Sequence, residues 1–123
     1  MHNKSFIAGC VYAFLAVGLG AFGAHALKER LSADMMAVYH TGIQYQMFHA
    51  LALLVVAFAY AYAGDSNKIR WAGRLFQLGI VLFSGSLYVL AISGLKWFGA
   101  ITPLGGVSFL AGWMMLALSL RKR

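Results

Sequence analysis

The stretch TGIQYQMFHALALLVVAFAYAYAG, Thr41 to Gly64, carries no Asp, Glu, Lys or Arg over 24 residues. About 20 apolar residues at 1.5 Å of rise cross the roughly 30 Å of hydrocarbon in a bilayer, so this segment is long enough to span one as a helix. Backbone groups in lipid need partners within their own segment, and the alternation of a membrane strand is missing, which leaves the helix. Three runs of the same kind flank it: Phe6 to Leu27, Leu75 to Leu95 and Trp97 to Leu120. The three acidic residues, Glu29, Asp34 and Asp65, all lie between runs. Short connections join the runs, so the expected fold is all-α, an integral membrane antiparallel four-helix bundle. It forms one domain over residues 1–123, with spans near 6–27, 41–64, 75–95 and 97–120.

Composition agrees, since 123 residues that are 62% hydrophobic and 11% charged fall outside the range of soluble domains. Lys4, Lys68, Arg70, Arg74, Arg121, Lys122 and Arg123 fall on one side of the expected membrane, and Lys28, Arg30 and Lys96 on the other. That asymmetry places both termini in the cytoplasm. The net charge of +7 is scattered over short loops on two faces, without an aromatic-basic platform, so no nucleic acid is expected as a partner. Arg121, Lys122 and Arg123 fit a stop-transfer anchor at anionic headgroups. Trp71 and Trp97 sit at opposite ends of the third span, where indole rings mark interfaces.

Two processing motifs compete for the first span. Ala24-His25-Ala26 resembles a signal-peptidase site, but the apolar run is longer than the roughly 7 to 15 residues of a signal core, so retention is expected. Ile7-Ala8-Gly9-Cys10 resembles a lipoprotein box, yet only Phe6 precedes it as apolar signal. Cys10 reads as a small buried hydrophobe, with no second cysteine for a disulfide.

Helices in lipid associate where small residues let backbones approach. Gly9, Ala13, Ala16, Gly20, Gly23 and Leu27 alternate spacings of four and three, which places them on one packing face of the first span. Gly79, Gly85, Gly105, Gly106 and Gly112 suggest similar close approaches in the last two spans. These glycines follow no strand and precede no suitably placed lysine, so no phosphate loop is implied. Between the first two spans, Ser32 is suited to cap a helix with Asp34 in its first turn. Leu31, Met35, Val38 and Tyr39 share a side, so this segment either lies along the interface or extends the second span outward, the second reading being preferred. Asp65-Ser66-Asn67 reads as a turn, and Pro103 as a first-turn residue of the last helix.

Polar groups inside a membrane are costly and mark places to look. Rise per residue puts His49 roughly 12 Å, Tyr88 roughly 10 Å, and Ser84 and Ser108 roughly 15 Å below the outer ends of their spans. With Gln46, three positions before His49, they are expected to form one hydrogen-bonded layer centred on a neutral His49, the imidazole fitting beside Gly18 and Gly20. Metal is not expected: His25 and His49 lie roughly 10 Å apart along the membrane normal, and His40 points about 180° from His49, whereas zinc ligands all reach within about 2.1 Å. The same spacing disfavours bis-histidine haem, so no cofactor is expected. No carboxylate lies within a span, no Ser-His pair has an acidic orienter, and HExxH is missing, which argues against an enzyme.

The chain resembles the small four-span family called domain of unknown function 423, and is similar to the eukaryotic transmembrane protein 256 group. The resemblance rests on Gly20-Ala-Phe-Gly-Ala-His25, Thr41-Gly42 with Tyr45-Gln46 and His49-Ala-Leu51, Leu82-Phe-Ser-Gly-Ser-Leu-Tyr88, and Ile101-Thr-Pro-Leu-Gly-Gly-Val-Ser-Phe-Leu-Ala-Gly-Trp113. These stretches touch all four spans. The resemblance implies a bacterial plasma-membrane protein of this length and topology and carries over no catalytic residue. The residues themselves point to a non-enzymatic structural or accessory membrane protein, seated in the lipid bilayer, self-associating or packing on a larger partner. The alternative is a small transporter or channel whose pathway is lined by Gln46, His49 and Tyr88, with His49 as the titrating group.

Overall fold

The computed structural model of the chain describes residues 2–120, with side chains from Lys4 to Leu120, and every regular element among them is helical. The first span is α1 (His2–Phe22) prolonged by a π-helical turn, Gly23–Leu27. The second is α2 (Ala33–Ala63). The third joins α3 (Asn67–Gly79), a π-helical segment Ile80–Ser84 and α4 (Gly85–Ser93). A 3-10 turn, Lys96–Ala100, leads into α5 (Thr102–Ser119). Four stretches are long and apolar enough to cross a membrane: Lys4–Leu27, Ala33–Ala63, Asn67–Ser93 and Lys96–Ser119. The basic triplet Arg121 to Arg123 lies outside the described residues.

The chain's punctuation has local causes. Ser32 Oγ accepts from the Met35 backbone N–H at 3.1 Å, Asp34 follows in the first turn, and α2 then runs unbroken to Ala63. The segment before Thr41 therefore extends the second span. Gly64 ends that helix at φ 85° and ψ −173°, a positive-φ conformation that costs little for glycine alone. Asn67, expected in the turn, instead opens α3, eight residues before the apolar run at Leu75. The cations hid this start: Lys68 and Arg74 are exposed, while Ile69, Ala72 and Phe76 are fully buried on the opposite face. Pro103 lies in the first turn of α5, as its missing N–H requires.

Neighbouring helices meet in ladders. Along α1 and α2, Gly9 lies against Ala50 and Leu53, the Tyr12 carbonyl meets Gln46, and Gly23 faces Tyr39, so rising numbers meet falling ones. The third span does the same with α2, where Gly73 faces Val56 and Ser84 meets Gly42. Against α5, Phe76 faces Gly112, Phe83 faces Gly105 and Ser86 meets Thr102. The main core, around Leu53, Val56, Ile69, Phe76, Ile80, Phe109 and Leu116, lies between α2, the third span and α5. A second cluster, Leu27, Tyr39 and Ala91, closes the end near the α1–α2 connection. Large apolar side chains cover the outside, with Phe14 78%, Phe58 80% and Leu110 71% exposed. Exposed apolar surface on that scale needs a nonaqueous solvent or a partner.

The small-residue stripe of α1 sits mainly where its spacing placed it. Gly9, Ala16, Gly23 and Leu27 are buried, and Ala13 and Gly20 lie half-buried at the margin. A Cβ at Gly9 would stand 2.7 Å from the Ala50 carbonyl oxygen, so the backbones approach as closely as they do because no side chain intervenes.

Candidate functional site

The buried polar side chains of the spans are Gln46, His49, Ser84, Ser86 and Ser108. Gln46 is a bridge. Its Nε2 donates to the Tyr12 carbonyl on α1 at 2.8 Å, and its Oε1 accepts from the Tyr88 hydroxyl on α4 at 2.6 Å. One amide thereby ties α2 to two neighbouring spans. Gly42, one turn earlier, makes room for the Tyr88 ring, since a Cβ there would lie 2.6 Å from Tyr88 Cε1.

His49 forms a separate centre. Trp113 on α5 donates its indole N–H to Nε2 at 3.0 Å, and Nδ1 lies 2.9 Å from the Tyr45 carbonyl. The indole is only a donor, so Nε2 must offer its lone pair and Nδ1 must carry the proton it gives to Tyr45. The ring stacks on Phe109 with centroids 3.6 Å apart and planes 7° from parallel, and Phe76 and Trp113 close around it. The imidazole thus faces α5 and the third span, not the glycines of α1. Gly18 has no neighbour within reach of an added Cβ, and Gly20 meets only Ile43 there.

The serines turn to backbone. Ser84 Oγ donates to the Gly42 carbonyl and Ser108 Oγ to the Leu75 carbonyl, each at 2.7 Å and each across a helix interface. Ser86 Oγ shares a hydrogen bond with Thr102 Oγ1, and Tyr39 donates its hydroxyl to the Leu19 carbonyl. The five residues read as one layer therefore resolve into a Gln46–Tyr88 bridge, a His49–Trp113 pair and two serine-to-carbonyl links. Among the described residues no buried side-chain nitrogen or oxygen is left without a partner.

Sequence reasoning did not assign Trp113 to His49, nor Tyr12 and Tyr39 to α1–α2 contacts. The apolar runs do not mark the helix starts: α2 begins at Ala33 and α5 at Thr102, eight residues before and five after them. The hydrogen bond itself shows that His49 and Trp113 meet. Beside this pair lies a shallow groove of about 460 Å³ lined by Tyr45, Phe83, Pro103, Gly106 and Leu110. Neither the two serine hydroxyls nor the Tyr88 hydroxyl donates to His49, and no set of three or more His, Cys, Asp or Glu among the described residues is grouped to hold a metal ion.

Four apolar helices tied by internal hydrogen bonds define a small all-helical integral membrane protein. Residues 19–106 match the family model described as protein of unknown function (DUF423), and the chain belongs to that family. It is 50% identical over 113 residues to the UPF0382 membrane protein YwdK of Bacillus subtilis (strain 168), covering 92% of each chain. It is 45% identical to the UPF0382 membrane protein SH2409 of Staphylococcus haemolyticus (strain JCSC1435), covering 92% of this chain and 91% of the relative. It is also 46% identical to the UPF0382 inner membrane protein YgdD of Escherichia coli (strain K12), covering 89% of this chain and 83% of that one. No solved structure matches.

Proposed function

We propose that this protein is a non-enzymatic structural or accessory component of the bacterial plasma membrane, its four helices antiparallel and both termini cytoplasmic. It self-associates or packs on a larger membrane partner through its apolar outer faces. The observation that carries this reading is the Gln46 bridge: a buried amide in the second span, satisfied on one side by α1 and on the other by Tyr88 of α4. Polar groups used in this way hold helices together and leave few hydrogen-bonding sites for a passing solute. The opposed contact ladders support the antiparallel order, and the surplus of cations on the loops beside α1 and α3 supports the orientation. The relatives named as membrane and inner membrane proteins support the location.

Two variants test it against a transport pathway through Gln46, His49 and Tyr88. Gln46→Leu and His49→Ala are purified and examined for thermal stability in detergent and for proton and ion flux in proteoliposomes. A structural role lowers stability in both and gives wild-type vesicles no flux above empty ones. A transport role gives flux in the wild type that these variants lose while stability holds, and that outcome would overturn the proposal.

A further inference from the structure

Charge is distributed unevenly between the two ends of the bundle. Where α1 and α3 begin, Lys4, Lys68, Arg70 and Arg74 stand against one carboxylate, Asp65; at the other end Lys28, Arg30 and Lys96 stand against Glu29 and Asp34. Asp65 is already engaged. It accepts from Arg70, whose guanidinium also donates to Asn67, and this is the only ion pair among the described residues. The Tyr60 hydroxyl first, and Arg70 after it, hold the Asp65 carboxyl below the usual carboxylate range. Among the described residues, Lys68 and Arg74, both exposed, therefore have no carboxylate to answer them.

The helix places these two cations on either side of Trp71. At 100° per residue, Lys68, Trp71 and Arg74 fan over one outward face, and Leu78 lies close to the line of Trp71 two turns further into the span. Trp71 and Leu78 are about half exposed, and the Arg74 guanidinium carbon sits 5.1 Å from the centroid of the indole ring. Along the helix the order is Lys68, Trp71, Arg74 and Leu78, with the Arg74 guanidinium held over the indole ring, so the two cations flank the ring and the aliphatic chain lies deepest. A lipid leaflet likewise sets its charged headgroup region above its hydrocarbon. On the opposite side of α3, Ile69, Ala72 and Phe76 are used in the core, so this face is the one left for lipid.

We propose that the outward face of α3 binds an anionic phospholipid. Lys68 and Arg74 take the headgroup phosphate, Trp71 lies beside the ester region, and Leu78 meets the start of an acyl chain. The stacked indole holds the Arg74 guanidinium over the ring and so limits the freedom it would lose on binding. The site lies on a different element from the Gln46 bridge and does not depend on the role proposed above.

Native mass spectrometry of the full chain in an uncharged detergent tests this, with dioleoylphosphatidylglycerol and dioleoylphosphatidylcholine as competing probes. The wild type is expected to retain the anionic lipid in preference to the zwitterionic one. The pair Lys68→Gln and Arg74→Gln should weaken that retention about 30-fold, the effect of two interfacial cations. Lys28→Gln with Arg30→Gln should leave it unchanged, and the charge-keeping pair Lys68→Arg with Arg74→Lys should preserve most of it. On the wild type alone, about 0.5 M salt should strip the anionic lipid, a readout that does not depend on the folding of any variant. Retention by the neutralised α3 pair equal to wild type would overturn the proposal, as would equal loss in both neutralised pairs or salt-insensitive binding. Displacement of the lipid by an equal concentration of inorganic phosphate would overturn it too, by showing a free-anion site.

Discussion

At the residue scale, His49 and Gln46 show how a membrane interior makes polar groups specific. Trp113 fixes the imidazole in the tautomer with the proton on Nδ1, because an indole N–H can only donate. Nitrogen-15 NMR of labelled histidine should report that tautomer for His49 in the wild type and lose the bonded Nε2 signal in Trp113→Phe. Replacing His49 by Ala removes the stacked ring and leaves the indole N–H without its acceptor, a change expected to cost about 1–3 kcal/mol in a denaturation measurement. Gln46→Leu should cost about 1 kcal/mol per lost interhelical bond, and the double variant with Tyr88→Phe should cost less than the two single changes added together. Full additivity would mean that the two side chains do not interact.

The sequence located these residues better than it paired them. Gln46, His49 and Tyr88 stood out because they are polar in apolar runs, and rise per residue brought Gln46 and Tyr88 near one depth. Ser84 and Ser108 donate to the Gly42 and Leu75 carbonyls, and a carbonyl acceptor is present at every residue, so no sequence signal marks which one is used. The His49–Trp113 pair joins residues 64 positions apart, on helices whose starts the apolar runs do not mark.

At the element scale, helix contacts depend on where side chains are missing. Gly9→Ala should destabilise the α1–α2 contact by about 1–3 kcal/mol, because the new Cβ meets the Ala50 backbone oxygen, which cannot swing away. Gly18→Ala, in open space on the same helix, should be neutral or gain up to about 1 kcal/mol from helix propensity. Comparing their unfolding in one detergent separates packing from propensity. The stripe Gly9, Ala16, Gly23 was legible because a period near 3.5 needs no knowledge of the partner. The true start of α3 was not, since a charge-based boundary stops at Arg74 while the buried face of the helix continues back to Ile69.

The Asp65 turn belongs to this scale as well. A carboxyl with a lowered native pKa adds stability above its ordinary value of 3.8 and loses that contribution as pH falls through the lowered one. The difference in melting temperature between wild type and Asp65→Asn should therefore be constant near neutrality and vanish in acid below the ordinary carboxylate range. A difference that grew in acid would contradict the Tyr60 and Arg70 contacts.

At the scale of the whole molecule, the contact ladders bring the start of α1 and the end of α5 to the same end of the bundle. Gly73 lies against Ser5, and Gly112 of α5 lies against Phe76 of the same third span. Cysteines placed at Lys4 and Ser119 in a Cys10→Ser background should react with an impermeant thiol reagent from the same side of the membrane, the cytoplasmic one. Labelling from opposite sides would contradict the topology. The number and class of the spans were legible from composition because lipid imposes them segment by segment. Which helices touch was not legible, since every outer face is as apolar as the next. Small residues and polar bridges choose among them.

The central claim is that the polar side chains in the spans join helices and do not line a wet path. Water-edited solid-state NMR of the protein in lipid bilayers measures this directly, as the rate at which water magnetisation reaches labelled Gln46 and His49 side chains. Slow transfer at both, against fast transfer at Asp65 and Lys68 in the same sample, is the result expected of bridges sealed between helices. Transfer to Gln46 and His49 as fast as to those surface residues would contradict the account.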